Sequence, residues 1–201
     1  MQDEHFEQRT VKSEIIYDGK IINVRVDTVE LPDMKYAKRE IVDHAQGVGI
    51  VAVTERGTMY MVRQYRVAVK KMLLEIPAGL VDPGENPQEA AIRELQEEVG
   101  YQPKQIQFVL DSYASPGFTN ERLSIFVATD LEPHALKMDE TEFLESFEYP
   151  IEELFEMVQN LEITDAKSII GIGYAYYQIY LPNRERFLEM REKSSSSEDV
   201  L

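Results

Sequence analysis

Cysteine is absent from the 201-residue sequence. Neither a disulfide framework nor a catalytic thiolate can therefore be built, and a reducing compartment is permitted. Long apolar runs are missing too: no stretch approaches the ~18 residues of a membrane-spanning helix, and the first residues lack a basic segment followed by an apolar one. From these absences we expect a cytoplasmic protein with no membrane partner.

Positive charge is scarce, because 21 Lys and Arg residues stand against 37 Asp and Glu residues and give a formal net charge of −16. A nucleic-acid backbone and an anionic membrane surface would both repel such a chain, so neither is an expected partner. An anionic small substrate would need local help from metal ions or a few placed arginines. The length suits one domain with an added subregion.

Residues 79–101 concentrate carboxylates where a helix gains least from them. A capping box at Asn86, a proline at the first helical position and the closing Gly100 predict a helix from Pro87 to Val99. Its apolar stripe consists of Ile92, Leu95 and Val99.

Three carboxylates, Glu94, Glu97 and Glu98, lie in the last two turns of this helix. Like charges at i, i+4 repel, and anions at a helix C-terminus oppose the helix dipole. Arg93 can neutralise one carboxylate of the helix, either Glu97 at i+4 or Glu89 at i−4, and the rest are uncompensated within the segment. A hard divalent cation with oxygen ligands, magnesium or manganese, would reverse the repulsion. The alternative is a solvated acidic face on an ordinary amphipathic helix.

The spacing of the segment favours the metal-binding interpretation. It reads Gly79, five residues, Glu85, seven residues, Arg93-Glu94-Leu95, one residue, Glu97-Glu98, one residue and Gly100. This pattern resembles the Nudix box, and only Tyr101 departs from it, where an aliphatic residue is usual. The resemblance to Nudix hydrolases implies cleavage of nucleoside diphosphates that are linked to another group.

Apolar runs predict strands on both sides of this helix. The predicted strands are 11–17, 22–31, 36–42, 48–53, 59–65, 73–76, 105–113, 123–129 and 146–149. The strand 59–65 is expected to pair with 48–53. Two helices are predicted beyond them, 151–159 and an unusually apolar one at 165–181. The mixture gives an α/β or α+β sandwich, with which the Nudix fold, a mixed β-sheet between helices, is compatible.

Three regions are expected along the chain. Residues 1–45 form an antiparallel β subdomain around an Asp18-Gly19 hairpin turn, and at this size it is expected to pack on something else. Residues 46–190 form the Nudix domain, and residues 191–201 a disordered polar tail.

Within the superfamily, the chain resembles the ADP-ribose pyrophosphatases. The matching segments are Tyr17-Asp18-Gly19, Lys38-Arg39-Glu40-Ile41, Arg63-Gln64-Tyr65-Arg66, Glu75-Ile76-Pro77-Ala78-Gly79 and Ser115-Pro116-Gly117, with Pro116 sixteen residues after Gly100. The resemblance implies Mg²⁺, or Mn²⁺ in its place, held by Glu94, Glu98 and the Ala78 carbonyl. It further implies catalytic support from Glu97, and a Glu85 that orients the helix and Arg93.

The same resemblance implies a substrate site and a base. Arg39, Glu40, Arg66, Ser115, Pro116, Gly117 and Glu121 match substrate-binding positions. Family members stack adenine on aromatic residues after the Tyr-x-Gly turn, where this chain has Lys20 and Ile21. In the stretch Asp139-Glu140-Thr141-Glu142, Glu140 is the predicted general base and Glu142 a metal ligand or its neighbour, or the two roles are exchanged.

Two other functions remain open: a Nudix pyrophosphatase for another nucleotide sugar such as GDP-mannose, and a non-catalytic domain that senses a nucleotide. The N-terminal strands and the apolar helix 165–181 suggest a homodimer, and the resemblance implies that it exchanges N-terminal strands.

Overall fold

The structure, a computed structural model, describes residues 6–134 and 143–198. Within them the strands are β1 Arg9–Asp18, β2 Ile22–Glu30, β3 Tyr36–His44, β4 Gly47–Ala52, β5 Thr58–Arg66, β6 Lys71–Glu75, β7 Ala78–Leu80, β8 Tyr101–Tyr113, β9 Arg122–Pro133 and β10 Leu144–Pro150. The α-helices are α1 Pro87–Val99, α2 Ile151–Gln159, α3 Ala166–Tyr174 and α4 Arg184–Glu198. The mixed α+β class expected from the sequence is confirmed.

These strands form three sheets, in the orders β1-β2-β3, β7-β4-β9-β8 and β10-β5-β6. The predicted pairing of the strand 59–65 with 48–53 is wrong. β5 pairs with β6 and β10, and only a single bridge, Val53 to Met59, links it to the chain that leaves β4. The neighbours of β4 in its sheet are β7 and β9 instead, and β4 is buried along its whole length.

The core around β4 explains why this strand is a continuous apolar run. All six of its residues are buried, and Val48, Ile50 and Ala52 belong to a hydrophobic cluster that also contains Leu95 of α1 and Phe126 of β9. The helix does not dock through the predicted stripe alone. Ile92 is only half-buried, whereas Glu94 and Glu98 are buried beside Leu95. The buried face of α1 therefore includes two of its acidic residues.

The chain divides into two compact units. The first comprises residues 1–46 together with Ser112–Leu123, a stretch that lies outside the predicted boundaries of 1–45. In it β1, β2 and β3 pair antiparallel, as the hairpin signals predicted. The most buried residues of β2 are Asp27 and Val29, on the face opposite to that of Val24 and Val26.

The second unit comprises Gly47–Asp111 and Ser124–Leu201. The single helix predicted over 165–181 is wrong in extent: α3 ends at Tyr174 and continues as a π-helical segment, Ala175–Tyr180, and a 3-10 turn, Leu181–Asn183. Pro182 lies in that turn, where a proline cannot continue an α-helical hydrogen-bond ladder. Helix α4 follows, so the backbone of 191–198 is helical where a disordered tail was predicted.

The tyrosines near this turn pack on neighbouring rings. Tyr176 stacks on Phe155 of α2 with ring centroids 3.9 Å apart, and Tyr180 is buried.

None of the described helices has the length and apolar character needed to span a membrane.

Candidate active site

Helix α1 begins and ends where its caps predicted. The Asn86 side chain accepts a hydrogen bond from the backbone N–H of Gln88, and Glu89 accepts one from the Asn86 N–H. Gly100 adopts a left-handed conformation, with φ 79°, that a glycine takes without a steric penalty. These caps fix which residues of α1 face the loop before it.

Two buried carboxylates of α1 converge on the start of β7. Glu98, 6% exposed, accepts a hydrogen bond of 2.9 Å from the backbone N–H of Ala78. Glu94, 9% exposed, lies against Gly79, where a Cβ would overlap its carboxyl group. A side chain at position 79 would therefore displace the carboxylate of Glu94.

Arg93 connects the carboxylates of this region. Its Nε and Nη2 donate to the two oxygens of Glu85 at 2.9 and 3.0 Å, and its Nη1 donates to Glu94 at 2.6 Å and to Glu97 at 3.1 Å. Its Nη2 also donates to the carbonyl of Leu80. The predicted orienting role of Glu85 thus has a geometric basis. The expectation that Arg93 neutralises a single carboxylate is wrong, because the guanidinium contacts three.

The electrostatics of this cluster follow from those bonds. The hydrogen bonds to Glu85, and then to Glu94, raise the pKa of Arg93, so the guanidinium stays charged. The same bonds from Arg93 lower the pKa of Glu85 below its usual range. Glu85 in turn accepts from the Asp82 N–H, which ties the loop before α1 to the helix.

Arg66, a predicted substrate-binding residue, is held by Glu75. Its Nε and Nη2 each donate to one Glu75 oxygen at 2.7 Å. Glu75 is 1% exposed and also accepts a hydrogen bond from Lys167. Burial alone would raise the pKa of Glu75, but the bonds from Arg66 and Lys167 prevail and lower it.

Sequence reasoning missed Lys167 and its neighbour Ser168 at the start of α3. Asp165 is the N-cap of α3: its side chain accepts from the Ser168 N–H at 3.0 Å, and it also accepts from Lys167 at 3.0 Å. Ser168 then accepts a hydrogen bond from the Ile76 N–H at 2.8 Å. Nothing in the spacing of residues 165–168 points to β6, which lies about ninety residues earlier in the chain.

The predicted substrate residues of the first unit lie on β3 and the 115–121 loop. Arg39 and Glu40 are exposed on β3, and Arg39 donates to the side chain of Gln8. The loop is fastened to the end of β3, since the Val42 N–H donates to the Phe118 carbonyl at 2.8 Å.

Within that loop the predicted residues form a turn. The carbonyl of Ser115 accepts from the N–H groups of Phe118 and Thr119, and an added Cβ at Gly117 would meet no neighbour. Pro116 lies within the same turn, and the carbonyl of Glu121 accepts from the Ala114 N–H at the loop's base. The structure therefore joins Ser115, Pro116, Gly117 and Glu121 to the strand that carries Arg39.

The donors near Ala78 suit a hard divalent cation, because carboxylate and carbonyl oxygens are the ligands that such ions prefer. In the part of the chain that the structure describes, no three His, Asp or Glu side chains lie close enough to hold a metal by themselves. Glu94 and Glu98 supply two carboxylates that converge on one backbone segment. Glu140 and Glu142 lie outside the described residues.

Comparison with known proteins identifies the family. The NUDIX domain profile matches residues 43–170, and the profile of the nucleoside diphosphate sugar hydrolase N-terminal domain matches residues 9–42. The chain belongs to the Nudix hydrolase family. The two profiles meet between residues 42 and 43.

Relatives of this Nudix hydrolase align over most of its length. It is 40% identical over 170 residues to the ADP-ribose pyrophosphatase of Bacillus subtilis (strain 168), covering 84% of this chain and 92% of the relative. It is 37% identical over 181 residues to the methanol dehydrogenase activator of Bacillus methanolicus, covering 89% and 98%. A crystal structure of an ADP compounds hydrolase superposes with a TM-score of 0.77 at 24% identity, covering 87% and 94%, and confirms the Nudix fold.

Proposed function

We propose that this Nudix hydrolase cleaves the pyrophosphate bond of ADP-ribose and releases AMP and ribose 5-phosphate in the presence of Mg²⁺ or Mn²⁺. The observation that carries the proposal is the convergence of buried Glu94 and Glu98 on Ala78 and Gly79. Arg93 pairs with Glu94, and the carboxylates of Glu94 and Glu98 together with the Ala78 carbonyl supply the oxygen ligands that a hard divalent cation prefers. The relative named ADP-ribose pyrophosphatase supports the choice of substrate.

Glu94, Glu98, the Ala78 carbonyl and Glu142 would hold the metal. The bound cation would make a water nucleophilic and neutralise phosphate charge. Arg93 keeps Glu94 and Glu97 oriented through its guanidinium, and its bonds to Glu85 fix that guanidinium in place. Glu97, which accepts a hydrogen bond from Arg93, supports the ligands without binding the reacting atoms.

Arg66 binds the diphosphate in this proposal, since the guanidinium group matches the geometry of phosphate oxygens. For the first unit, we assign substrate binding to Arg39, Glu40, Ser115, Pro116, Gly117 and Glu121, as the family resemblance implies. The net charge of −16 makes such arginines necessary, because the chain as a whole repels an anionic substrate.

We propose that Glu140 is the general base, which accepts the proton of the attacking water, and that its neighbour Glu142 binds the metal. Proton transfer to a placed carboxylate is the step that hydrolysis needs besides charge neutralisation. The support is the Asp139-Glu140-Thr141-Glu142 stretch alone, because these residues lie outside the described part of the chain.

A substrate panel tests the proposal. The purified protein is incubated with ADP-ribose and with GDP-mannose, with and without Mg²⁺, and nucleotide release is measured. We expect Mg²⁺-dependent AMP release from ADP-ribose at a higher kcat/KM than GMP release from GDP-mannose. Preferential GMP release would replace ADP-ribose by another nucleotide sugar, and no turnover of either would favour a nucleotide-sensing domain.

We further propose that the enzyme is a cytoplasmic homodimer formed through the N-terminal strands. Every residue of β1 is exposed in the single chain, including Ile15 and Ile16, which are 70% and 58% exposed. Side chains of adjacent strand residues point to opposite faces, so both faces of β1 expose apolar groups. Exposed apolar patches of this kind mark interaction surfaces.

A further inference from the structure

We propose that Lys167 is a positioning residue for substrate binding, which acts through Glu75 on Arg66. The inference rests on the proposed function, in which Arg66 binds the diphosphate. It extends that function to the start of α3, which lies outside the Nudix box and about a hundred residues beyond Arg66 in the sequence.

Glu75 is the centre of the arrangement. It is 1% exposed, and a buried carboxylate without partners would be strongly unfavourable. Its oxygens accept two hydrogen bonds of 2.7 Å from Arg66 and one from the Lys167 ammonium. Two cations therefore share one buried anion, and the position of each depends on that carboxylate.

The bonds from Arg66 fix its guanidinium plane. Both use the edge formed by Nε and Nη2, so the orientation of the Glu75 carboxylate sets the orientation of the whole group. The Arg66 side chain nevertheless remains 41% exposed, which leaves it accessible to a ligand. Arg66 is thus aligned from its buried side and open on the other.

Lys167 holds Glu75 from the helix side. Its ammonium donates to Oε2, the same oxygen that accepts from Arg66 Nη2, and it also donates to Asp165 at 3.0 Å. Asp165 is fixed as the N-cap of α3 through the Ser168 N–H. The carboxylate that aligns Arg66 is therefore anchored to the first turn of a helix.

A second contact from the same turn reaches the segment that carries Ala78. The Ile76 N–H donates to the buried Ser168 hydroxyl at 2.8 Å, and the carbonyl of Pro77 accepts from the Ile50 N–H at 2.8 Å. These bonds hold the backbone of 76–77 without Lys167. Removing the ammonium should therefore disturb Arg66 more than the backbone before Ala78.

A double-mutant cycle separates positioning from a general structural role, because residues that act as one unit are not additive. The proteins are wild type, Lys167→Gln, Arg66→Gln and the double variant, assayed with ADP-ribose and Mg²⁺. We expect Lys167→Gln to raise KM about tenfold with kcat changed less than about threefold, as for lost binding rather than lost chemistry. In the Arg66→Gln background the same substitution should leave KM unchanged within about twofold.

Two further variants keep the test decisive. Asp165→Asn retains an N-cap residue for α3 but weakens the grip on Lys167, so it should raise KM in the same way by a smaller factor and also lose its effect without Arg66. It replaces Lys167→Gln if that protein does not fold. Lys104→Gln, which removes a surface ammonium paired with Glu132, serves as the matched control and should leave KM unchanged.

An equal rise of KM in both backgrounds, or no rise in either, overturns the proposal. If wild type hydrolyses no nucleotide sugar, the proposed function fails and a measurement without substrate decides the inference. In ¹⁵N-labelled protein, we expect Lys167→Gln to shift the Arg66 Nε–H resonance and to accelerate its hydrogen exchange relative to Lys104→Gln. An unchanged resonance contradicts the inference whatever the substrate.

Discussion

Glu94 rests its carboxylate against Gly79, in the space that the Cβ of any other residue at position 79 would occupy. The contact involves the far end of a side chain, so a larger residue would displace Glu94 rather than unfold the loop. The glycine that opens the Nudix box is thereby linked to a carboxylate fifteen residues later.

We expect Gly79→Ala to retain the fold and to lower kcat/KM about 100-fold. Displacement of a metal-binding carboxylate by about 1 Å is enough for such a loss. The measurement is steady-state kinetics with circular dichroism on the same samples. Gly173→Ala is the control, since its Cβ would meet no neighbour and alanine favours a helix. Wild-type kcat/KM in Gly79→Ala would show that Glu94 need not be held there.

Glu98→Gln tests the metal role while keeping the contact with the Ala78 N–H, which an amide oxygen can still accept. We expect kcat to fall about 100-fold and the Mg²⁺ concentration needed for half-maximal activity to rise. Glu97→Gln, whose amide oxygen can still accept the bond from Arg93, should lower kcat about threefold or less. Equal losses in the two variants would contradict the distinction between ligand and support.

The pair of Glu85 and Arg93 predicts a pH-dependent contribution to stability. The pKa of Glu85 is lowered in the folded state, so its stabilisation is present above the ordinary value of 4.5 and is lost as the pH falls through the lowered pKa. At pH 7 we expect Glu85→Gln to reduce the free energy of unfolding by about 2 kcal/mol.

Urea unfolding of wild type and Glu85→Gln over a pH series gives the measurement. The difference in free energy of unfolding between wild type and Glu85→Gln should stay constant from neutral pH down to about 5 and shrink below 4.5. Glu132→Gln, at an exposed pair with Lys104, should show little difference at any pH. A difference for Glu85→Gln that is independent of pH to the acid limit of folding would count against the assignment.

Introducing positive charge on β1 tests the proposed dimer. The double substitution Ile15→Lys with Ile16→Lys should convert a dimer, of about twice the 23.2 kDa chain mass, into a monomer, because burying two ammonium groups at an interface is costly. Light scattering at micromolar concentration gives the mass. Leu161→Lys changes an exposed apolar residue of the second unit and should leave the mass unaltered. A wild-type mass near 23 kDa refutes the proposal.

Glu140→Gln tests the general base. Loss of a placed proton acceptor should lower kcat about 100- to 10,000-fold at saturating Mg²⁺. Glu142→Gln should instead be partly restored by raising the Mg²⁺ concentration, since a metal ligand is replaced. The reverse outcome exchanges the two roles, and near-normal kcat in Glu140→Gln removes that residue from the mechanism.

Local signals account for what the sequence predicted well. The ends of α1 follow from Asn86 and Gly100, whose capping acts within a few residues. The network of Arg66, Glu75 and Lys167 has no such signal, because it joins residues 92 positions apart on three different elements. Strand partners were missed for the same reason: the apolar run of β4 predicts burial on both faces but does not identify β7 and β9 as neighbours.

The first compact unit is assembled from two separate stretches of chain, residues 1–46 and Ser112–Leu123. Deleting residues 1–46 would remove β3, to which Phe118 and Asn120 of the second stretch are hydrogen-bonded. The N-terminal strands therefore cannot be transplanted between Nudix enzymes as a cassette cut at one junction. A working chimera would have to carry the matching 112–123 segment from the same parent.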